Sequence, residues 1–288
     1  MKKIIKKIDI HAHITNRKLE RIVQKSAWID TLKEEMTKYD IEKTVVLASY
    51  FPHKGTGISN YRLYDWIRNE KSLIMFGSLD FEHYFYQGYN ELEELAQKSI
   101  IKGIKIYTTY QNIDFKSDKM KKIVDLASEY KLPIMFHSGP PHAESKYDSQ
   151  LSKLFNAQEL EELAKNTNVN FIVSHMDNEN LDTLVDVLKR NKNIYTDMSG
   201  LYDSKYEQEY ALPSINLIKK LLENAGPEKL LFGTDFPVQT HKDSINMIEK
   251  AMKNYSVKEK EMVYYTNAQK LLGGTLWKPL KKTTKQQT

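Results

Sequence analysis

Short apolar runs alternate along this chain with stretches in which apolar residues return every three to four positions. The runs cover residues 4–10, 43–48, 73–78, 103–107, 133–137, 170–175, 193–197 and 230–234, and most of them carry Gly, Pro, Asn or Ser at or beside an end. Composition of that kind predicts strands. Between them, Ile123, Val124 and Ala127 share one helical face, as do Leu160, Leu163 and Ala164, and then Leu181, Leu184, Val185 and Leu188. Ile215, Ile218 and Leu222 continue the pattern, then Ile245, Ile248 and Met252, and a last helix is expected over 258–272, ended by Gly273-Gly274. Continuously apolar strands separated by helices imply a parallel sheet covered on its faces. Eight strands is the count of a (β/α)₈ barrel.

Bulk properties narrow this picture. The chain has 288 residues, and a complete barrel takes about 250, so one barrel domain over 1–277 is expected. A polar tail, 278–288, is expected to be disordered or to serve as an interaction tail. No run approaches the roughly 20 apolar residues of a membrane span, so no membrane partner is expected. The lysine-rich start resembles a signal peptide only superficially. Lys6, Lys7 and Asp9 interrupt it and no small-residue cleavage site follows, so it reads as the first strand. Cysteine is absent, which removes thiolate metal sites and fits a cytoplasmic location. The net charge of +5 comes from scattered lysines with only five arginines, a distribution that argues against nucleic acid as a partner. A small-molecule substrate is expected, and a homodimer is the one form of self-association considered.

The chemistry lies where strands are expected to end. The first closes on Asp9-Ile10-His11-Ala12-His13, the fifth on His137 and the sixth on His175, and the eighth runs into Gly233-Thr234-Asp235-Phe236-Pro237. Barrel enzymes work at the C-terminal ends of their strands, and residues two apart on a strand face the same side. Five potential ligands therefore converge on one mouth, although each alone has an ordinary structural reading; Asp235, for instance, could cap the next turn. Imidazole with carboxylate suits one divalent ion, Zn²⁺ first and Mn²⁺ or Fe²⁺ as alternatives. Such an ion lowers the pKa of a bound water to about 7. Asp235 is placed to touch the ion and take the water's proton, and His175, if not a ligand, to polarise the substrate or shuttle a proton.

The segments HAH, FHSG, SHMD and LLFGTDFP resemble the amidohydrolase superfamily, and FGTDFP with the closing YYTNAQKLLGG resembles its amidohydrolase-related (amidohydrolase 2) branch of metal-dependent hydrolases and decarboxylases. The likeness spans about 7–273. It implies a distorted barrel, a mononuclear metal on His11, His13, His137 and Asp235, and His175 as a catalytic residue or weak fifth ligand. Lys105 is open to three readings: a carbamylated bridge between two metals as in binuclear relatives, a cation for a substrate carboxylate, or a salt-bridged residue of the mouth. It also argues against the similar TatD-type nucleases, which carry a metal-binding glutamate there. Tyr107, Phe51 and Arg17 are the other candidate substrate contacts, and Arg62 is a further cation that a decarboxylase could use. Aromatic residues in the loops after several strands point to a cyclic substrate. His142 and His241 are placed in loops near the mouth, as surface residues first and as substrate contacts in the alternative. Hydrolysis of an ester, lactone or amide is the leading expectation; decarboxylation of an aromatic or unsaturated acid is the alternative, and a non-catalytic barrel a third.

Overall fold

The computed structural model describes residues 4–14, 28–49, 58–139 and 155–273. Within them eight parallel strands pair strictly in chain order, β1(Lys7–Ala12), β2(Ile41–Leu47), β3(Leu73–Ser78), β4(Ile101–Ile106), β5(Ile134–Phe136), β6(Phe171–Val173), β7(Ile194–Asp197) and β8(Leu230–Leu231). Helices follow them in alternation: α1(Ile29–Lys38), α2(Asn60–Ile67), α3(Phe85–Gln97), α4(Asp118–Tyr130), α5(Ala157–Ala164), α6(Leu181–Arg190), α7(Ala211–Ala225) and α8(His241–Ala251). This is the expected (β/α)₈ barrel, and its distortion has a definite place. β8 keeps only two residues, so the barrel closes on β1 through irregular backbone bonds. Ile10 N donates to the Phe232 carbonyl (3.0 Å), Asp235 N to that of His11 (2.8 Å) and His13 N to that of Phe236 (2.7 Å).

Each strand alternates between two apolar layers, as the two-residue period requires. Ile8, Ile10, Val45, Leu47, Ile74, Phe76, Met135, Ile172, Tyr195 and Leu231 fill the barrel, while the alternate residues pack under the helices. Gly103 is dictated by this filling, because a Cβ there would lie 2.4 Å from the Phe76 ring. The bottom is plugged by Ala268, Leu271 and Leu272, on and just after the last helix, α10(Asn267–Leu271). That region departs from the single helix expected over 258–272. α9(Val257–Glu261) passes through a π-helical turn, Met262–Thr266, before α10 begins. The wider turn frees the Val263 carbonyl to accept Phe232 N (3.1 Å) and brings the Asn267 amide to the Pro227 and Leu230 carbonyls (2.8 and 2.9 Å). Among the described residues no helix is long and apolar enough to cross a membrane. The tail 278–288 lies outside the described residues.

Candidate metal centre

The strand order brings the expected ligands to one end of the barrel, but a β-bulge aims the first of them. Asp9 pairs with Thr44 and Ala12 with Val46, so three steps of β1 match two of β2. Strict alternation would place His11 opposite Ile10. The bulge lets Ile10 stay in the interior cluster while His11 reaches Asp197 across the mouth, and Asp9 turns to Thr234 and His241. Bulges commonly re-aim a side chain beside an active site.

His11, His13 and Asp235 form a group able to hold a metal, their ligand atoms within 4.8 Å of one another. Asp235 Oδ1 lies 3.4 Å from His11 Nε2 and 3.3 Å from His13 Nε2. Ligands each about 2.1 Å from one tetrahedral ion would be separated by roughly that much. Asp235 occupies its place with φ +57°. Gly200, with φ +56°, makes room: a Cβ on it would meet Asp235 Oδ2 at 2.6 Å.

Hydrogen bonding fixes which nitrogens are bare. His175 Nδ1 is 2.8 Å from the Ser199 carbonyl, which can only accept, so Nδ1 carries the proton. In the neutral ring Nε2 is then an acceptor, and His137 Nδ1–H donates to it at 3.1 Å. His137 Nε2 is left as a buried atom with no hydrogen-bond partner, the condition of a nitrogen shaped to bind a cation. His137 is thus tied to the cluster through His175; among the described residues a second trio, His11, His175 and Asp197, also has its ligand atoms within 4.8 Å of one another, and His137 is in neither trio. His175, Met176 and Asp177 all hold φ between +41° and +60°, a run that non-glycine residues rarely adopt and that concentrates at functional sites.

Behind the ligands stands a residue that sequence reasoning placed at the end of a strand and gave no role. Asp197 Oδ2 accepts from His11 Nδ1 (3.0 Å), and its Oδ1 from His175 N (3.1 Å), Ser199 N (3.0 Å) and Ser199 Oγ (2.5 Å). A carboxylate bonded to the far nitrogen of a metal-binding histidine fixes its tautomer and orientation. The available signal was an aspartate in register with the other strand-end polar residues, but a lone strand-end aspartate has many structural uses. Asp9 was missed likewise. It accepts from His11 N (3.1 Å), Thr234 N (3.1 Å) and Thr234 Oγ1 (2.6 Å), joining β1 to the segment after β8.

The electrostatics suit neutral imidazoles beside charged carboxylates. Burial, then the Lys105 charge, push His11 down to about 3; burial lowers His175, and burial with neighbouring His175 lowers His137 well below its ordinary value. Burial alone would raise Asp235, yet the His13 hydrogen bond and the surrounding imidazoles hold it well below the usual carboxylate range. Lys105 is fully buried and pushed down to about 8 by desolvation, against the pull of Asp197 and Asp235. Its Nζ donates to Ser174 Oγ (2.7 Å) and lies 5.3 Å from the Tyr107 ring centroid. Tyr107 gives its hydroxyl to the Ala48 carbonyl (2.9 Å) and stacks its ring toward His137 (6.3 Å).

Other expected residues divide three ways. Arg17, Phe51 and His142 lie outside the described residues. Arg62 is exposed on α2, while of the aromatics that follow the strands Phe81 and Phe85 after β3 and Tyr202 after β7 are buried in the core layer. His241 is a correction: it begins α8 and is fully buried, because it packs behind the β1–β8 seam and does not lie on the surface.

Solved structures with this architecture include one described as a probable 2-pyrone-4,6-dicarboxylic acid hydrolase of Acinetobacter baumannii, 16% identical with a TM-score of 0.68, covering 93% of this chain and 99% of that one. A dihydroxybenzoic acid decarboxylase of Polaromonas, with manganese and the inhibitor 2-nitroresorcinol bound, is 15% identical with a TM-score of 0.65 and coverages of 93% and 96%. An amidohydrolase of Burkholderia multivorans with bound zinc is 12% identical, with a TM-score of 0.68 and coverages of 93% and 99%. At such identities these likenesses show the fold. A comparison with curated protein sequences returned no match. The family model described as amidohydrolase matches residues 8–274, from the strand that carries His11 to the end of the barrel plug, and on that match the chain belongs to the amidohydrolase family.

Proposed function

We propose that this chain is a metal-dependent hydrolase that cleaves an ester, lactone or amide bond of a small, cyclic substrate, with one divalent ion, Zn²⁺ or alternatively Mn²⁺ or Fe²⁺, held by His11, His13, His137 and Asp235. The observation that carries the reading is the spacing of His11, His13 and Asp235 together with the unpartnered Nε2 of His137. When bound, such an ion supplies a Lewis acid for a carbonyl oxygen and makes water acidic near neutral pH. The chain's own residues supply the rest. The Asp235 carboxylate takes the proton of the attacking water. His175 has its Nδ1–H committed to the Ser199 carbonyl and its Nε2 to His137 Nδ1–H, so Nε2 exchanges a proton with the substrate only by giving up the His137 contact. Tyr107 and Tyr110, whose rings lie 6.3 and 5.1 Å from that of His137, form one wall of the mouth.

A decarboxylase is the second reading, and Lys105 is the observation that favours it, since a buried ammonium group can bind a substrate carboxylate. Asp197 and Asp235 already balance that charge, which is why hydrolysis is preferred. The test is to load the protein with Zn²⁺ or Mn²⁺ and supply lactones, aryl esters, amides and hydroxybenzoic acids, recording acid release and CO₂ separately. Acid release without CO₂ is expected, and Asp235→Asn should lower it by about 10²- to 10⁴-fold, the usual worth of a positioned base, while the ion stays bound. CO₂ release without hydrolysis would reverse the assignment.

A further inference from the structure

His241 is buried completely, and neither of its ring nitrogens has a hydrogen-bond partner. Buried polar groups are normally paired, so a histidine kept in this state calls for a reason. Its surroundings supply one. Nε2 is 3.3 Å from Asp9 Oδ2, and Nδ1 is 3.9 Å from Glu35 Oε2. One ring face stacks parallel to Tyr39, with centroids 6.2 Å apart, and the ring of Phe236 lies 5.7 Å away. Asp9 and Phe236 stand on opposite sides of the β1–β8 seam. Asp9 belongs to β1 and grips Thr234 and the His11 amide. Phe236 follows Asp235, and its carbonyl takes the amide of His13 (2.7 Å).

We propose that His241 is a positioning residue for the metal centre, a wedge that holds Asp9 against Thr234 and so sets the distance between His11, His13 and Asp235. Those three ligands all sit on the seam, and the seam lacks the regular strand pairing that fixes the other ligand-bearing strands. A loose Asp9 would let the segment carrying Asp235 drift from β1 without unfolding the barrel. The proposal rests on the metal reading given above. His241 itself touches neither ion nor substrate.

The experiment separates the polar contact from the packing. His241→Phe keeps a stacked ring and removes the nitrogens; His241→Gln keeps a donor able to reach Asp9 and removes the ring. Binding of Zn²⁺ and Mn²⁺ is measured by titration calorimetry, the symmetry of the bound Mn²⁺ by electron paramagnetic resonance, and folding by thermal denaturation. The Phe variant is expected to keep its Tm within a few degrees, to lose affinity about tenfold or more, the scale on which partners of metal ligands act, and to give an altered Mn²⁺ spectrum. The Gln variant is expected to recover most of the affinity and the native spectrum. Should Phe prevent folding, His241→Leu asks the same question. Native affinity and spectrum in the Phe or Leu variant, or losses that merely follow Tm in all variants, would overturn the positioning role alone. Failure of the unaltered protein to bind either ion would overturn the metal reading, and this proposal with it.

Discussion

A carboxylate buried as completely as that of Asp197 keeps its charge only through the bonds it accepts. Four donors reach it, two of them from Ser199 and one each from the His11 ring and the His175 backbone. Burial pushes this carboxyl up, but His11 and Ser199 hold it well below the ordinary range. Replacing Asp197 with Asn keeps the shape and sets an amide N–H against donors. His11 must then turn or change tautomer, which moves the proton toward the nitrogen that should bind metal. Asp197→Asn is therefore expected to weaken Zn²⁺ binding about 10- to 100-fold with little loss of secondary structure. Titration calorimetry checks this, and unchanged affinity would mean that Asp235 and His13 position His11 without help. Neither the four-donor arrangement nor the tautomers it imposes can be read from a sequence, because Asp197 and His11 are 186 positions apart. The positions of His11, His13, His137 and Asp235 could be read, since each sits where a strand runs out.

Among the elements, one helix pair is joined by a defined polar contact as well as by the shared apolar core. Glu161 on α5 receives Arg190 through two bonds of 2.9 Å and Asn191 through one of 2.8 Å, joining α5 to the end of α6. The Arg190 hydrogen bonds bring its carboxyl down to about 2 from its ordinary value of 4.5. A carboxyl lowered in the folded state adds stability that is complete above its unfolded pKa and is lost as pH falls through the folded one. The contribution should therefore be present above about pH 4.5 and fade toward pH 2. Urea unfolding at pH 6 and pH 3 should show Glu161→Gln clearly destabilised at the higher pH and closer to the unaltered protein at the lower. A gap that does not narrow would show that packing, and not charge, makes this contact. At this scale the apolar runs predicted every strand, yet the run over 133–137 shrinks to Ile134–Phe136 and that over 230–234 to Leu230–Leu231. Both runs end in residues whose backbone leaves the ladder to place a side chain, a choice that hydrophobicity does not encode. The π-helical turn is not legible in the sequence for a related reason: its residues are ordinary helix formers, and its phase break goes with bonds to the end of β8 and the loop before it.

For the molecule as a whole, metal binding should appear as stability. An ion that binds only the folded chain adds about 2.7 kcal/mol at a free concentration one hundred times its Kd. At this size each kcal/mol moves Tm by about 2–4 °C. Scanning calorimetry of protein loaded with Zn²⁺, and again after chelation, is expected to show a Tm difference of several degrees, and no difference would count against a site built from His11, His13, His137 and Asp235. The sequence by itself determined the barrel, the order of its strands and the end at which the chemistry lies, because alternation of apolar runs with amphipathic stretches leaves few other ways to bury them. It also determined which donors the mouth offers, imidazole and carboxylate, since the chain has no cysteine. Tertiary structure decided the aim. The bulge in β1 turns His11 inward, Gly200 yields space to Asp235, and Asp197 and Asp9 fix the ligands from behind. It also decided the place of His241, which looked like a loop residue and is packed behind the seam. The physical reason is common to all of these: hydrophobic period reports which side of an element is buried, whereas the direction of one polar side chain depends on partners that only the closed barrel brings within reach.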